Sequence, residues 1–193
     1  GNCVITASQP GNIVYAAATP VSQTVEVLRA PAISISPASV SLTALTAYNT
    51  SPYTVTNTGG TPTSFVISPA APAGMTFNTT TGALTGTPTT PQAATSYSIT
   101  AANSVGTSAA ASVSITIGKA AQTITFPMPD AMVKSQAATQ LLTATASSGL
   151  DVSYSSSTTS TCTVAQDGTT LDWSITAGSS SGTCTIVASQ AGD

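Results

Sequence analysis

Charged side chains are nearly absent from this chain of 193 residues, which has three Lys and Arg, six Asp and Glu, and no His. Nucleic-acid binding requires several cationic contacts to phosphate groups, and Arg29, Lys119 and Lys134 are too few to provide them. Without His, the common Ser-His and Cys-His catalytic groups are excluded, and a zinc site is not expected. We therefore expect no catalytic residues, no metal, no cofactor, no nucleic-acid partner and no enzymatic activity.

Long apolar runs and the charged residues typical of helices are also scarce. No apolar run approaches the ~20 residues that a membrane span requires, so we expect no membrane insertion. Glu26 is the only Glu, whereas Thr, Val, Ser and Pro, which favour strands and turns, are frequent. Because hydrophobic residues make up 41% of the chain, there is enough apolar material for packed cores. The composition predicts an all-β protein.

The chain ends with nearly the same twelve residues with which it begins. The segments GNCVITASQPGN (1–12) and GTCTIVASQAGD (182–193) agree at seven of twelve positions, and Cys3 corresponds to Cys184. A fixed spacing of this kind is typical of repeat arrays. We therefore expect the chain to be about one period of a longer repeat, in which residues 13–29 correspond to the segment that would follow Asp193.

Three cysteines are present. Cys162 and Cys184 lie in one candidate domain in strand-like contexts, so we predict a disulfide between them that contributes about 3 kcal/mol and forms in an oxidising compartment. Three reduced, buried cysteines are the alternative. Cys3 is expected to be unpaired, or paired with an upstream segment or a neighbouring chain. The predicted location is extracellular, at a cell surface or in a secreted fibre.

Alternating apolar residues and turn signals divide the chain into three segments. Residues 1–30 contain two alternating strands and are predicted to be the C-terminal strands of a sandwich whose body is missing or donated to a neighbour. Residues 30–32 (Ala-Pro-Ala) are expected to form a short, stiff linker. Residues 31–118 predict a complete sandwich, and residues 119–193 predict a second sandwich that lacks its last strand.

One stretch of the middle segment is specific enough to indicate a family. Residues 71–89 read APAGMTFNTTTGALTGTPT and resemble the hallmark of the He-PIG immunoglobulin (Ig)-like domains of bacterial surface proteins. The resemblance implies an Ig-like sandwich, with Met75, Phe77 and Leu84 in the core and a hairpin turn at Gly82. Some relatives of this fold bind calcium through clustered acids, but residues 33–118 contain no Asp or Glu, so no calcium site is carried over.

The third segment has a resemblance of its own. Its pattern QTITFPMP, then CTV, then GTCTIVASQAGD is similar to the Ig-like repeats of very large bacterial surface adhesins. That resemblance implies that residues 119–193 continue into a segment like residues 1–30. The expected fold class is therefore all-β, with tandem Ig-like β-sandwiches.

Several residues could carry chemistry, and each also has a structural interpretation. The Asp residues could supply a glycosidase pair or a calcium site. Asp167-Gly168 is better interpreted as a hairpin turn, and the remaining Asp residues as turn or edge residues. The acids are Asp130, Asp151, Asp167, Asp172 and Asp193. Lys119 or Lys134 could serve a Ser-Lys pair or an isopeptide cross-link. Trp173 and Tyr154 are weak candidates for a ligand platform, because the alternation around Trp173 favours core packing.

These observations favour a structural role over chemistry. We expect a non-enzymatic repeat segment of an extracellular bacterial surface fibre or adhesin stalk, whose partners are adjoining repeats or copies of itself. One alternative is a filament subunit that exchanges strands through Val21, Val25 and Val27. An alternative of another class is an Ig-like module that binds a glycan or a host protein.

Overall fold

The computed structural model describes residues 1–133 and 139–192, and the chain divides into two compact units, residues 1–120 and 121–193. The regular elements of the described residues are β-strands, so the all-β prediction is confirmed. No helix that is long and apolar enough to cross a membrane occurs among them.

The first unit contains a hairpin and a sandwich. The hairpin pairs strands β1 (Asn2–Gln9) and β2 (Ala18–Glu26) in antiparallel register. The strands of the sandwich are β3 (Ile33–Ser36), β4 (Ser39–Thr43), β5 (Thr54–Asn57), β6 (Ser64–Ser68), β7 (Met75–Phe77), β8 (Leu84–Gly86), β9 (Gln92–Asn103), β10 (Gly106–Thr107) and β11 (Ala111–Gly118).

Strand β9 is the centre of the larger sheet of this sandwich. It pairs antiparallel with β6, β10 and β11, and β11 in turn pairs with β4 in parallel. The smaller pairs are β3 with β5 and β7 with β8. Between these layers the alternate residues of the strands form one apolar core, because side chains two positions apart lie on the same face of a sheet. Its most deeply buried side chains are Leu84, Ile99, Val113 and Ile115.

The hairpin that carries the family resemblance is formed by β7 and β8. Met75 and Leu84 are buried and Phe77 packs against the same core, so the expected inward positions are confirmed. Gly82 adopts a positive φ of 74° directly above the Phe65 ring. A side chain at position 82 would therefore be both strained and crowded.

The segment 30–32 differs from the stiff linker that the sequence predicted. Pro31 is buried, and the carbonyl oxygens of Ala30 and Ala32 accept hydrogen bonds from the amides of Gly60 (3.0 Å) and Thr58 (2.9 Å). The segment is therefore built into the edge of the sandwich. The reason is that the turn at residues 58–60 needs acceptors for its amides, and this chain segment provides them.

The second unit is smaller and its strands are shorter. They are β12 (Ile124–Thr125), β13 (Thr139–Leu141), β14 (Thr145–Ala146), β15 (Ser153–Ser156), β16 (Cys162–Gln166), β17 (Trp173–Ala177) and β18 (Ile186–Ser189). Strand β17 lies between β13 and β16, β15 pairs with β18, and β12 pairs with β14, all antiparallel. The buried core consists of Leu142, Tyr154, Cys162 and Ile175.

An alternating stretch of the second unit is divided between two strands. The stretch 141–146 reads as a single alternating strand, but its start belongs to β13 and its end to β14, which lie in different sheets. Between them the Leu142 amide donates to the Trp173 carbonyl (2.8 Å) and the Ala144 amide to the Tyr154 hydroxyl (2.7 Å). The chain thus changes sheets while its amides remain hydrogen-bonded, which alternation alone does not reveal.

Candidate functional site

The β1–β2 hairpin presents an exposed apolar face. Residues directly opposite one another on paired strands share a face, and the register pairs Cys3 with Val25 and Ala7 with Val21. Val21, Val25 and Val27, the strand-exchange candidates, are 60%, 50% and 56% exposed. We call their face the hairpin face, and it consists of Cys3, Ile5, Ala7, Val21, Gln23, Val25 and Val27, of which Gln23 is the one polar member.

The internal repeat gives residues of the hairpin face counterparts in the sequence of the second unit. By the repeat, Cys3, Ile5 and Ala7 correspond to Cys184, Ile186 and Ala188. In the second unit these three counterparts pack against the core, whereas in the hairpin the corresponding residues are exposed. The hairpin face therefore has the sequence of a surface that packs against a core, but in this structure it is exposed.

A groove of about 940 Å³ opens on the second unit. The apolar side chains that line it include Phe126, Met132, Ile175, Ala177, Cys184 and Ile186. The loop that bounds it begins at Pro127 and was not identified from the sequence as part of a site. Its signal is the interleaving of methionines with prolines in PMPDAM (127–132), which places apolar side chains on a segment that cannot form a regular strand.

The predicted disulfide joins Cys162 to Cys184, with their Cα atoms 5.6 Å apart and 22 residues between them in sequence. It ties β16 to the segment before β18, next to the groove. The Ser156 hydroxyl donates to the carbonyl of Cys162 at 2.9 Å, which holds the end of β15 against the same bridge. Cys3 is a free, exposed thiol on the hairpin.

The aromatic ligand-platform candidates belong to the core of the second unit. Tyr154 is buried, its ring lies 5.5 Å from Phe126 and 5.6 Å from Trp173, and its hydroxyl accepts the Ala144 amide. Trp173 is partly buried against the same cluster. Because their ring faces and the Tyr154 hydroxyl are engaged internally, these two residues act as packing groups in this structure.

Three tyrosines of the Ig-like sandwich are also structural. Tyr53 and Tyr97 are buried, and the Tyr53 hydroxyl donates to the Gly82 carbonyl at 3.2 Å. Burial raises the pKa of Tyr53 to about 12, so this hydroxyl stays protonated through the neutral range. The Tyr48 hydroxyl accepts the Thr43 amide at 2.8 Å and thereby stabilises the end of β4.

The acidic residues do not converge on one point. No group of three or more His, Cys, Asp or Glu side chains that could hold a metal ion occurs in the described ranges, 1–133 and 139–192. Asp130 borders the groove, and Asp151 lies exposed before β15. Two of the candidates discussed above, Lys134 and Asp193, lie outside the described residues.

Asp167 forms the turn between β16 and β17, as the Asp-Gly pair predicted. One carboxylate oxygen, Oδ1, accepts the amides of Thr169 (2.7 Å) and Thr170 (2.8 Å). These backbone hydrogen bonds hold the pKa of Asp167 below its ordinary value of 3.8, because they favour the ionised form.

This shift predicts the effect of pH on the turn. A lowered pKa in the folded state means that the carboxylate stabilises the second unit above the unfolded pKa and that this contribution is lost as pH falls through the folded pKa. We expect Asp167→Asn to lower the melting temperature slightly at pH 7 and to have a smaller effect at pH 2. Thermal melts followed by Trp173 fluorescence would measure this. An equal effect at both pH values would contradict it.

Comparisons with known proteins address the first unit most directly. Residues 30–118 match the family model He_PIG, described as "Putative Ig domain". The match covers somewhat less than half of the chain and coincides with the sandwich formed by β3 to β11. No curated protein sequence matches this chain.

Among solved structures, three have similar chains at low identity. The chain resembles a "putative alpha-galactosidase" from Bacteroides fragilis (21% identity, TM-score 0.39, 49% of this chain and 19% of that one). It also resembles human CDH23 EC21-23, with 15% identity and a TM-score of 0.39, over 92% of this chain and 65% of that one. The third structure contains the N-terminal eight Ig domains of Down syndrome cell adhesion molecule. Its identity is 15% and its TM-score 0.37, over 97% of this chain and 26% of that one. This chain spans less than two thirds of each.

The family match and the sandwich have the same limits. The match begins at residue 30, where Ala30 accepts a hydrogen bond from the Gly60 amide of the sandwich, and ends at Gly118, the last residue of β11. The hairpin that carries the family hallmark, β7–β8, lies inside this range with its apolar residues in the core. Residues 30–118 of this chain are therefore an Ig-like domain that matches the He_PIG family model.

Proposed function

We propose that this chain is a non-enzymatic, load-bearing segment of an extracellular fibre or adhesin stalk on a bacterial surface. The proposal combines the Ig-like domain with the recurrence of residues 1–12 at residues 182–193. In this role the protein holds its two ends apart, and each sandwich resists being pulled open. Because the chain carries few charged residues, few ionic contacts contribute to its stability, so we expect salt to change the stability of the fibre little.

The observation that carries the proposal is the parallel pairing of β4 with β11. These strands lie near the two ends of the Ig-like domain, and the register runs from Ser39 beside Ser114 to Thr43 beside Gly118. Tension applied at residues 30 and 118 pulls parallel neighbours in opposite directions along their length. The ladder is then loaded in shear, so its hydrogen bonds must break together, whereas an antiparallel hairpin opens one bond at a time.

The hydrogen bonds of this ladder can be assigned to individual residues. The Ser114 amide donates to the Ala38 carbonyl (2.8 Å), and the Ala44 amide donates to the Gly118 carbonyl (2.9 Å). Ladder bonds in a parallel pair fall on every second residue, so the amide of Val40 also faces β11. By the same alternation the amide of Ser41 faces away from β11, toward an edge of β4 that has no partner strand among the described residues.

The disulfide supports a mechanical role for the second unit. Tension cannot extend the chain between Cys162 and Cys184 while the bridge is intact. The 22 residues of sequence separation would otherwise add roughly 70 Å of length, at about 3.4 Å per residue. The bridge therefore limits how far this unit lengthens if it unfolds in the fibre.

A pair of proline variants tests the load-bearing role. We expect Val40→Pro to lower the mean unfolding force of the Ig-like domain, since it removes one ladder bond worth about 1 kcal/mol and some apolar contact. At a given force this corresponds to at least roughly five-fold faster unfolding. Ser41→Pro, which removes an amide outside the ladder, should unfold much like the original chain. Single-molecule pulling of the full chain between its ends measures both.

Two results would contradict the proposal. One is an Ig-like domain that opens at low force without a distinct unfolding peak, which would mean that the β4–β11 ladder bears no load. The other is equal unfolding forces for Val40→Pro and Ser41→Pro.

In the natively purified material, a reduced, denatured mass many times that of the 193-residue chain would identify one long covalent array of such segments.

A further inference from the structure

We infer that the groove of the second unit binds strand β2 of a second copy of this chain, which adds antiparallel to β18 in the place that β1 occupies in the hairpin. This inference rests on the proposed structural role and names its partner. It assigns a function to the hairpin face.

The first step is the correspondence between β1 and β18. The repeat aligns Cys3, Ile5 and Ala7 with Cys184, Ile186 and Ala188. The latter three face the core of the second unit. A strand that pairs with β1 is therefore suited in sequence and register to pair with β18, and β2 is that strand.

The second step concerns the edge of β18 that is available. Its pairing with β15 includes a hydrogen bond from the Ser157 amide to the Thr185 carbonyl, so residues 185, 187 and 189 direct their backbone groups toward β15. Cys184, Ile186 and Ala188 then direct theirs toward the opposite edge. Among the described residues no strand pairs with that edge.

The third step shows that β2 uses the corresponding edge of β1. Gly1 and Val27 exchange both backbone hydrogen bonds, at 2.7 Å and 3.1 Å. Bonded pairs alternate with unbonded ones in an antiparallel ladder, so Cys3, Ile5 and Ala7 also direct their backbone groups toward β2. These are the positions whose counterparts point to the open edge of β18. The edge that β2 requires is thus the edge that β18 leaves unpaired.

The register then places apolar residues at the groove. Val25 comes to lie opposite Cys184, and Val27 opposite Gly182, both of which line the groove. Val21 comes to lie opposite Ala188, and Gln23, the one polar residue of this face, opposite Ile186. Ser22, Thr24 and Glu26 occupy the other face of β2, away from the core.

The exchange leaves the number of backbone hydrogen bonds made by β2 unchanged, so burial of apolar surface decides whether it is favourable. Strand β2 gives up its bonds to β1 and forms the same set with β18, so the backbone contribution nearly cancels. What differs is the apolar surface, since the valines of β2 are half exposed or more in the hairpin and enter an apolar groove in the complex. The duplicated strand β1 competes with β18, which makes the association reversible.

A matched pair of charge variants tests the face that β2 uses. We expect the molar mass of the full chain, measured by light scattering, to rise with concentration above the mass of a single chain. Val25→Asp should weaken this association by at least about tenfold, because it removes a valine from the apolar contact and adds a charge there. Thr24→Asp adds the same charge to the adjacent residue on the opposite face and should associate like the original chain.

A cross-link tests the register independently of stability. Val4 and Thr24 are an unbonded pair in the hairpin, where Cα atoms lie about 4.5 Å apart, a distance that a disulfide can bridge. Since Val4 corresponds to Thr185, the variant Thr24→Cys with Thr185→Cys, in a Cys3→Ser background, should form covalent dimers and longer ladders on oxidation. Thr24→Cys with Val187→Cys is out of register by two residues and should form several-fold fewer.

Four results would overturn the inference. They are a molar mass that stays at that of a single chain at every concentration, equal association of Val25→Asp and Thr24→Asp, equal cross-linking in and out of register, and cross-links confined to one chain. In the first case the pulling experiment still reports on the load-bearing role. Failure of the strand exchange is therefore distinguishable from failure of the proposed function.

Discussion

Replacing Gly86 with alanine destabilises the Ig-like domain by about 3–5 kcal/mol, the sum expected for a strained backbone and an overpacked contact. Gly86 has φ of +127°, a conformation that side chains rarely adopt. An added Cβ would lie 2.5 Å from the Gly74 carbonyl oxygen and 3.0 Å from the Met75 Cα. The backbone cannot move away easily, because Gly86 also exchanges hydrogen bonds with Tyr48 at 2.8 Å and 3.0 Å.

Calorimetry of the full chain measures this loss as a lower melting temperature of the first unit. For a domain of this size, we expect a decrease of at least about 12 °C. The control is Gly106→Ala, since a Cβ at that position meets only the Ala30 Cβ within 4 Å, at an ordinary 3.6 Å. Equal melting temperatures for the two variants would show that the backbone at Gly86 relaxes to admit a side chain.

Removing the disulfide destabilises the second unit by about 3 kcal/mol, the chain-entropy contribution of a loop of this length. The loss is large because only four buried core residues occur in the described part of this unit, and one of them, Cys162, is a member of the bridge. We expect Cys162→Ala with Cys184→Ala to lower the midpoint of denaturant unfolding of this unit. The first unit should be unaffected, because both cysteines lie in the second.

Trp173 makes the measurement selective, since it is the only tryptophan of the chain and packs against the core of the second unit. Its fluorescence during urea unfolding reports on that unit alone. Cys3→Ala is the matched control, because it removes a thiol that lies exposed on the hairpin. An unchanged midpoint for the double variant would show that the bridge contributes little to the folded unit.

Local features of the chain were predictable because each depends on neighbours in sequence. The alternation in residues 112–117 identifies β11, and the Asp-Gly pair at 167–168 identifies the turn that Asp167 forms with its own backbone. The hallmark at residues 71–89 is enough to indicate the Ig-like domain. The pairing of Cys162 with Cys184 followed from both lying in one candidate domain.

Features that depend on distant residues were not predictable in the same way. Alternation does not show that residues 141–146 change sheets, because the partners that receive them, β12 and β17, lie elsewhere in the chain. Likewise, Trp173 and Tyr154 could have formed a platform or a core. The contacts of the Tyr154 ring with Trp173 and with Phe126 decided for the core.

The sequence by itself determined the fold class, the approximate positions of most strands, the disulfide and the duplicated strand, because composition, periodicity and repetition are local properties. Only the tertiary structure decided that β4 pairs in parallel with β11, that the edge of β18 opposite β15 has no partner strand among the described residues, and that a groove lies beside it. Strand pairing joins residues far apart in the chain, and which edges remain unpaired depends on how all strands are arranged together. The proposed load-bearing ladder and the proposed strand exchange both depend on that arrangement.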